Sequence, residues 1–144
     1  MFELRLALAA DKKYLNYIDT STLEFLKIIA DDEAKRFHFA LHEVIINSIQ
    51  ACERLGPFED TTIYIELKLD DDQLIGQVRD PFGGGGDKED YLEKSVKVNA
   101  LSIENNRGIL FIDHLVDDFK WMTYADGLFE VVIKKHVNRG GVRR

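Results

Sequence analysis

The sequence predicts an α/β (α+β) sandwich of two layers, in which helices pack on one face of a mixed, mostly antiparallel sheet. Short segments with apolar residues at every second position are joined by turn signals, and three longer segments carry apolar residues at helical spacing. Repeats and linkers of low complexity are absent, and the chain has only 2 prolines. We therefore expect residues 1–144 to form a single domain, with a frayed tail over 137–144.

The first half of the chain predicts a strand and two helices. Residues 2–8 alternate between apolar and polar side chains, which is typical of a half-buried strand. A helix is expected from about residue 11 to residue 30, although the polar segment 19–22 can break or recap it. A second helix should run from about Asp32 to Leu55, because Gly56-Pro57 ends it. The candidate core residues of the first helix are Leu15, Ile18, Leu23, Leu26 and Ile29.

A β-hairpin is predicted in the middle of the chain. Alternating apolar residues mark strands over about 62–69 and 74–80, and Asp70 to Asp72 supply the turn. Pro81 stops the second strand, because proline cannot donate to a strand ladder. The polar residues 87–106 have weak patterning and predict a mobile segment.

The last third of the chain is predicted to be a helix followed by a second hairpin. Apolar residues recur at helical spacing from about Arg107 to Phe119. Strands over about 120–125 and 128–136 are joined at Asp126-Gly127, a dipeptide typical of tight hairpin turns.

Composition and charge narrow the classes of function. The formal net charge of -7 argues against non-specific binding to nucleic acid. No apolar run approaches the length needed to cross a bilayer, and the first residues are too charged for a secretory signal. The single cysteine, Cys52, has apolar neighbours, so we expect a buried thiol, no disulfide and a cytoplasmic location.

Two polar residues interrupt the otherwise apolar second helix. Glu43 and Asn47 are four residues apart, which places both side chains on one face of a helix. The side-chain oxygen of Asn47 suits Mg²⁺, and Glu43 can orient or deprotonate a hydroxyl group or a water beside it. Taken alone, the same spacing also fits a polar pair at a solvated helix edge.

A carboxylate followed by a run of four glycines ends the second strand of the middle hairpin. Asp80 shares a strand face with Leu74 and Val78, so its carboxylate should point toward the core side of the sheet. There it can accept a hydrogen bond from an exocyclic amine such as that of adenine. The glycines at 83–86 allow backbone to approach a ligand closely. The alternative is a surface loop after an ordinary aspartate at a strand end.

The start of the third predicted helix offers a site for phosphate. Gly108 opens this helix, where free backbone N–H groups bind anions, and the adjacent Arg107 adds positive charge. A simple helix start without a ligand fits the same residues. The sequence has neither a GxGxxG motif nor a GKS/T phosphate loop, so it indicates neither a Rossmann site nor a P-loop.

Together and in this order, the three segments resemble the ATP-binding boxes of the superfamily that includes DNA gyrase, heat-shock chaperones, histidine kinases and mismatch-repair ATPases. These proteins share the Bergerat fold. Residues 107–118, RGILFIDHLVDD, are similar to the last box of the anti-sigma factor serine/threonine kinases, Arg-Gly-Ile-x-Leu-Ile-x-x-Leu-x-Asp-Glu. The resemblance spans about residues 30–136.

The resemblance implies a protein-serine kinase that binds ATP and Mg²⁺. Glu43 would be the catalytic base, Asn47 the Mg²⁺ ligand and Asp80 the carboxylate that reads adenine. Residues 87–106 would form a lid over ATP. The nucleotide would also contact Gly83, Gly84, Gly85, Arg107, Gly108 and Ile109.

The resemblance also implies partners. Kinases of this family phosphorylate a serine on a small antagonist protein, the anti-anti-sigma protein, and separately sequester a sigma factor. They thereby regulate transcription, and they commonly form homodimers through a sheet face. We expect no direct contact with nucleic acid or with a membrane.

The sequence departs from the family pattern at three positions. Phe82 stands two places after Asp80, where the box has glycine, Ala51 stands where histidine is frequent, and Phe129 replaces a common threonine. These differences leave open a degenerate, non-catalytic binding module on the same fold. A detached ATPase domain of the histidine-kinase type is a third possibility, disfavoured because a phosphoacceptor helix is missing and the lid is short.

Overall fold

Five strands form one sheet in the computed structural model of the chain, in the order β1-β2-β3-β5-β4. The structure describes residues 2–29, 32–55, 61–81, 111–124 and 127–137. The strands are β1 (Phe2–Ala9), β2 (Thr62–Asp70), β3 (Gln73–Asp80), β4 (Asp118–Thr123) and β5 (Phe129–His136). All four neighbouring pairs are antiparallel.

The predicted combination of helices and an antiparallel sheet is confirmed, but the prediction of a mixed sheet is wrong for the described strands. Tight turns after β2 and β4 reverse the chain, so each of these strands pairs antiparallel with its successor. Asp71 (φ 53°) lies in the first turn and Gly127 (φ 92°) in the second. Gly127 suits this backbone conformation because it has no Cβ.

Two long helices are described, and both lie on the same face of the sheet. They are α1 (Leu15–Leu26), which follows a short 3-10 turn at Lys12–Tyr14, and α2 (Asp32–Leu55). α2 has the predicted bounds, whereas α1 is shorter than predicted. Residues 19–22 do not break α1, and the hydroxyl groups of Thr20 and Thr22 donate to the carbonyl oxygens of Asn16 and Ile18 within the helix instead of capping a new one.

The core lies between α2 and the middle strands β3 and β5. α2 crosses the sheet at Gly76, where an added Cβ would lie 3.1 Å from Leu41 Cδ1, 3.1 Å from Phe37 Cζ and 3.2 Å from Ile133 Cγ1. The glycine therefore lets the helix come close to the sheet.

The prediction that Leu23 is a core residue is wrong, because its side chain on α1 is 44% exposed.

The third predicted helix ends earlier than expected. Residues 111–115 are helical, but β4 begins at Asp118, so the prediction that Phe119 ends a helix is wrong. The carboxylate of Asp117 accepts a hydrogen bond of 2.7 Å from the backbone N–H of His136, and its own N–H donates to Lys134. These bonds turn the chain into the ladder with β5.

Several predictions fall outside the described residues. They concern the start of the third helix at 107–110, the segment 87–106 and the predicted frayed tail from residue 138 onward. Val137, the first residue of that predicted tail, is not frayed, because it is buried and its N–H donates to the carbonyl oxygen of Asp72. Of the helices that the structure does describe, none is long and apolar enough to cross a membrane.

Candidate functional site

α2 carries two of the predicted site residues at the border between core and surface. Glu43 and Asn47 are both half-buried. They are one helical turn apart, which separates their Cα atoms by about 6 Å along the axis and by about 40° around it. The structure therefore brings both side chains to one edge of α2, as the sequence predicts.

Asp80 is the last residue of β3, and its side chain points to the face of the sheet that α2 covers. It is 2% exposed, so its carboxylate lies within the protein. The hydroxyl group of Ser48 on α2 donates a hydrogen bond of 2.8 Å to Asp80 Oδ2. Because Ser48 follows Asn47 directly, this bond joins the first two predicted segments of the site.

Cys52 lies one turn beyond Ser48 on α2 and is fully buried. Burial raises the pKa of its thiol, the negative charges of Asp80 and Glu53 act in the same direction, and together they bring it to about 12. The thiol is therefore neutral at physiological pH. Because the thiolate is the reactive form, Cys52 is a packing residue beside the site rather than a nucleophile.

The residue opposite Asp80 in the sheet is apolar. Phe129 pairs with Asp80 in the β3–β5 ladder and is 2% exposed on the same face. The threonine that the resemblance leads one to expect at this position is thus replaced by a buried ring. A hydroxyl group bonded to Asp80 comes from α2 instead, through Ser48.

The histidine next to Glu43 faces a different neighbour. His42 Nδ1 lies 2.7 Å from Asp19 Oδ1 on α1, and His38 Nε2 lies 3.1 Å from Thr22 Oγ1. Both histidines therefore connect α2 to α1. Consecutive residues of a helix point about 100° apart, so His42 and Glu43 form no dyad.

The remaining predicted site residues lie outside the described part of the chain. They are Gly83, Gly84, Gly85, Arg107, Gly108 and Ile109. Within the described ranges, no group of three or more His, Cys, Asp and Glu side chains is arranged to hold a metal ion. The side-chain oxygen of Asn47 is a ligand type that Mg²⁺ accepts, and this ion usually keeps several waters and is bound through one or two carboxylates together with substrate phosphates.

Ser48 is the site residue that the sequence reasoning did not single out. It lies at core spacing after Leu41 and Val44, so its hydroxyl group falls on the buried face of α2. A buried hydroxyl group needs a hydrogen-bond partner, and that requirement is the signal by which it could have been found.

Comparisons with known proteins add no relative. A scan against models of protein families matches none of them, and a search of curated proteins gives no match.

Proposed function

We propose that this chain is a cytoplasmic ATP- and Mg²⁺-binding protein-serine kinase of the anti-sigma factor type. The observation that carries the proposal is the buried carboxylate of Asp80, hydrogen-bonded to Ser48 at 2.8 Å, directly after Asn47 on α2. The candidate nucleobase acceptor is thereby bonded to the residue that directly follows the candidate metal ligand in α2. The similarity of residues 107–118 to the last box of this family supports the same conclusion.

The buried carboxylate suits the recognition of adenine. A hydrogen bond to a charged group is stronger than one between neutral groups, and a low local dielectric strengthens it further. An amine that reaches the buried carboxylate of Asp80 would gain such a bond. The carboxylate therefore offers both affinity and orientation.

The positions of Glu43 and Asn47 suit phosphoryl transfer to a serine. In the proposed step, Glu43 takes the proton of the serine hydroxyl group as its oxygen bonds to the γ-phosphorus of ATP. The bond from the γ-phosphorus to the bridging oxygen breaks, and ADP leaves with the electron pair. Such transfer depends on positioning and on charge neutralisation, to which Mg²⁺ on Asn47 would contribute.

The proposed partners follow from the family resemblance. The acceptor serine would belong to a small anti-anti-sigma protein, and the chain would bind a sigma factor in exchange. Regulation of transcription would thus proceed by partner switching, and two copies of the chain would pair as a homodimer.

A second candidate is a non-catalytic binding module on the same fold. The observation that favours it is the apolar surrounding of Asp80: Phe129 is buried opposite it, and Pro81 follows it directly. If these residues close the nucleotide site, partner exchange would be the remaining activity.

Transfer of label from γ-labelled ATP to a small protein separates the two candidates. We expect the wild type to label an acceptor on serine in the presence of Mg²⁺, and Glu43→Gln to lose the transfer while retaining ATP binding. Glu53→Gln is the matched control, because Glu53 is also half-buried on α2. Binding of ATP without transfer by any variant would favour the binding module.

A further inference from the structure

A cavity lies between the end of α1 and the start of α2. Its volume is ≈ 330 Å³, and both helices and the residues just after α1 contribute to its lining. The lining residues are Leu23, Leu26, Lys27, Ile29, Asp32, Ala34 and Lys35. Asp32 is the first residue of α2, and Asn47 lies about 22 Å further along the helix axis. The cavity is therefore separate from the proposed nucleotide site.

The floor of the cavity is apolar. Leu26, Ile29 and Ala34 are buried, with exposed fractions of 4%, 5% and 3%. The N–H of Ile29 donates a hydrogen bond of 3.0 Å to the carbonyl oxygen of Leu26, which fixes these two residues relative to each other. Leu23 is 44% exposed, so one large apolar side chain of the lining meets solvent. An apolar cleft of this size with a few polar groups is typical of sites for small ligands.

The charges of the lining favour an anion. Lys27 and Lys35 are positive, and Asp32 is negative. The ammonium group of Lys27 lies 3.2 Å from Glu24, whereas none of the ion pairs found among the described residues includes Lys35. The start of α2 adds the positive end of a helix dipole. Lys35 is therefore the cation that a ligand can reach, and Asp32 is the one group that opposes an anion.

We propose that this cavity binds a small apolar carboxylate, a molecule with a short hydrocarbon chain or ring and one carboxylate group. The hydrocarbon part would lie against Leu23, Leu26 and Ile29, and the carboxylate would pair with Lys35 at the solvent side. Such a molecule matches the apolar floor and still keeps its charge beside water and a cation. The inference does not depend on the proposed kinase activity.

Titration of the full chain with four small molecules tests the inference. Hexanoate, 1-hexanol and hexylamine have the same chain length and differ in charge, and acetate keeps the carboxylate without the long chain. The NMR chemical shifts of the methyl groups of Leu23, Leu26 and Ile29 measure each Kd and locate the binding. We expect hexanoate to bind more tightly than 1-hexanol and hexylamine, and roughly tenfold or more tightly than acetate.

Two substitutions of exposed charges should change hexanoate binding in opposite directions. Lys35→Gln removes the cation and should weaken hexanoate about threefold, the effect of one exposed ion pair, while 1-hexanol stays unchanged. Asp32→Asn removes the opposing carboxylate and should tighten hexanoate about twofold, again without an effect on 1-hexanol. Both residues are exposed, so neither substitution disturbs the core.

Two further variants separate the apolar contact from the charge of the whole protein. Leu23→Ser removes the exposed apolar side chain and should weaken hexanoate and 1-hexanol alike. Lys12→Gln is the matched control, because it removes the same charge from an exposed lysine just before α1, at the end of that helix away from the cavity. This variant should bind hexanoate like the wild type.

The result that supports the inference is binding at these methyl groups with a preference for hexanoate that Lys35→Gln reduces. Absence of binding at millimolar hexanoate, or shifts at other methyl groups only, would overturn it. Equal binding of hexanoate and 1-hexanol, a preference for hexylamine, or an undiminished preference in Lys35→Gln would overturn it as well. None of these results bears on ATP binding, so the proposed function is tested separately.

Discussion

Replacement of Gly76 by alanine tests how closely α2 packs on the sheet. The new Cβ would lie 3.1 Å from both Leu41 Cδ1 and Phe37 Cζ, and 3.2 Å from Ile133 Cγ1. Overpacking of this kind costs about 1–3 kcal/mol, while the loss of glycine's freedom in the unfolded chain offsets about 0.4–1 kcal/mol. We therefore expect a net loss of roughly 1–2 kcal/mol in the free energy of unfolding.

Urea unfolding followed by circular dichroism measures this loss. With a slope of about 2 kcal/mol/M, a loss of roughly 1.5 kcal/mol lowers the midpoint by about 0.75 M. Leu41→Ala removes one of the crowded side chains, so Gly76→Ala should cost less in that background than in the wild type. A midpoint for Gly76→Ala at or above that of the wild type would refute the packing argument, and so would strict additivity of the two substitutions.

The remaining predictions concern ionisable groups. Cys52 should not react with a thiol reagent at pH 8 until urea unfolds the chain. Because folding raises the pKa of this thiol from 9.0 to about 12, the free energy of unfolding should fall as the pH rises through that interval. The ammonium group of Lys135 is nearly buried and forms a 2.6 Å ion pair with Glu33. Lys135→Met breaks this pair and should lower the free energy of unfolding, measured in urea, by about 1–2 kcal/mol. The control is Lys27→Met, which breaks an exposed ion pair and should lower it by about 0.5 kcal/mol or less. Asp117, whose pKa is lowered first by the backbone N–H of His136 and then by the positive charge of Lys135, should stabilise the fold above its ordinary pKa of 3.8. That contribution should be lost as the pH falls through the lowered value, and Asp117→Asn should flatten the acid limb of a stability–pH curve.

Much of the fold follows from local patterns in the sequence. The apolar stripe of α2 and the Gly56-Pro57 that follows it predict the bounds of this helix, and alternation with an aspartate turn predicts the hairpin of β2 and β3. The end of the third helix could not be predicted in this way. Phe119 fits helical spacing, but the bonds of Asp117 to β5 draw the chain into the sheet, and such long-range contacts leave no local signal.

The candidate site was predictable only in part. The spacing of Glu43 and Asn47 places them on one helix face, and alternation places Asp80 on the inner face of the sheet. The distance between the helix and the strand end depends on how α2 packs over Gly76, which no local pattern encodes. For the same reason, the bond from Ser48 to Asp80 emerged only from the three-dimensional arrangement.

Calorimetric titration with ATP, with and without Mg²⁺, tests the central claim most directly. The wild type should bind ATP saturably and more tightly with Mg²⁺, and Asp80→Asn should lose binding because an amide replaces the carboxylate that would accept the adenine amine. Asp72→Asn, in the exposed turn between β2 and β3, should bind like the wild type. Absence of binding by the wild type at millimolar ATP, or equal binding by Asp80→Asn, would contradict the account.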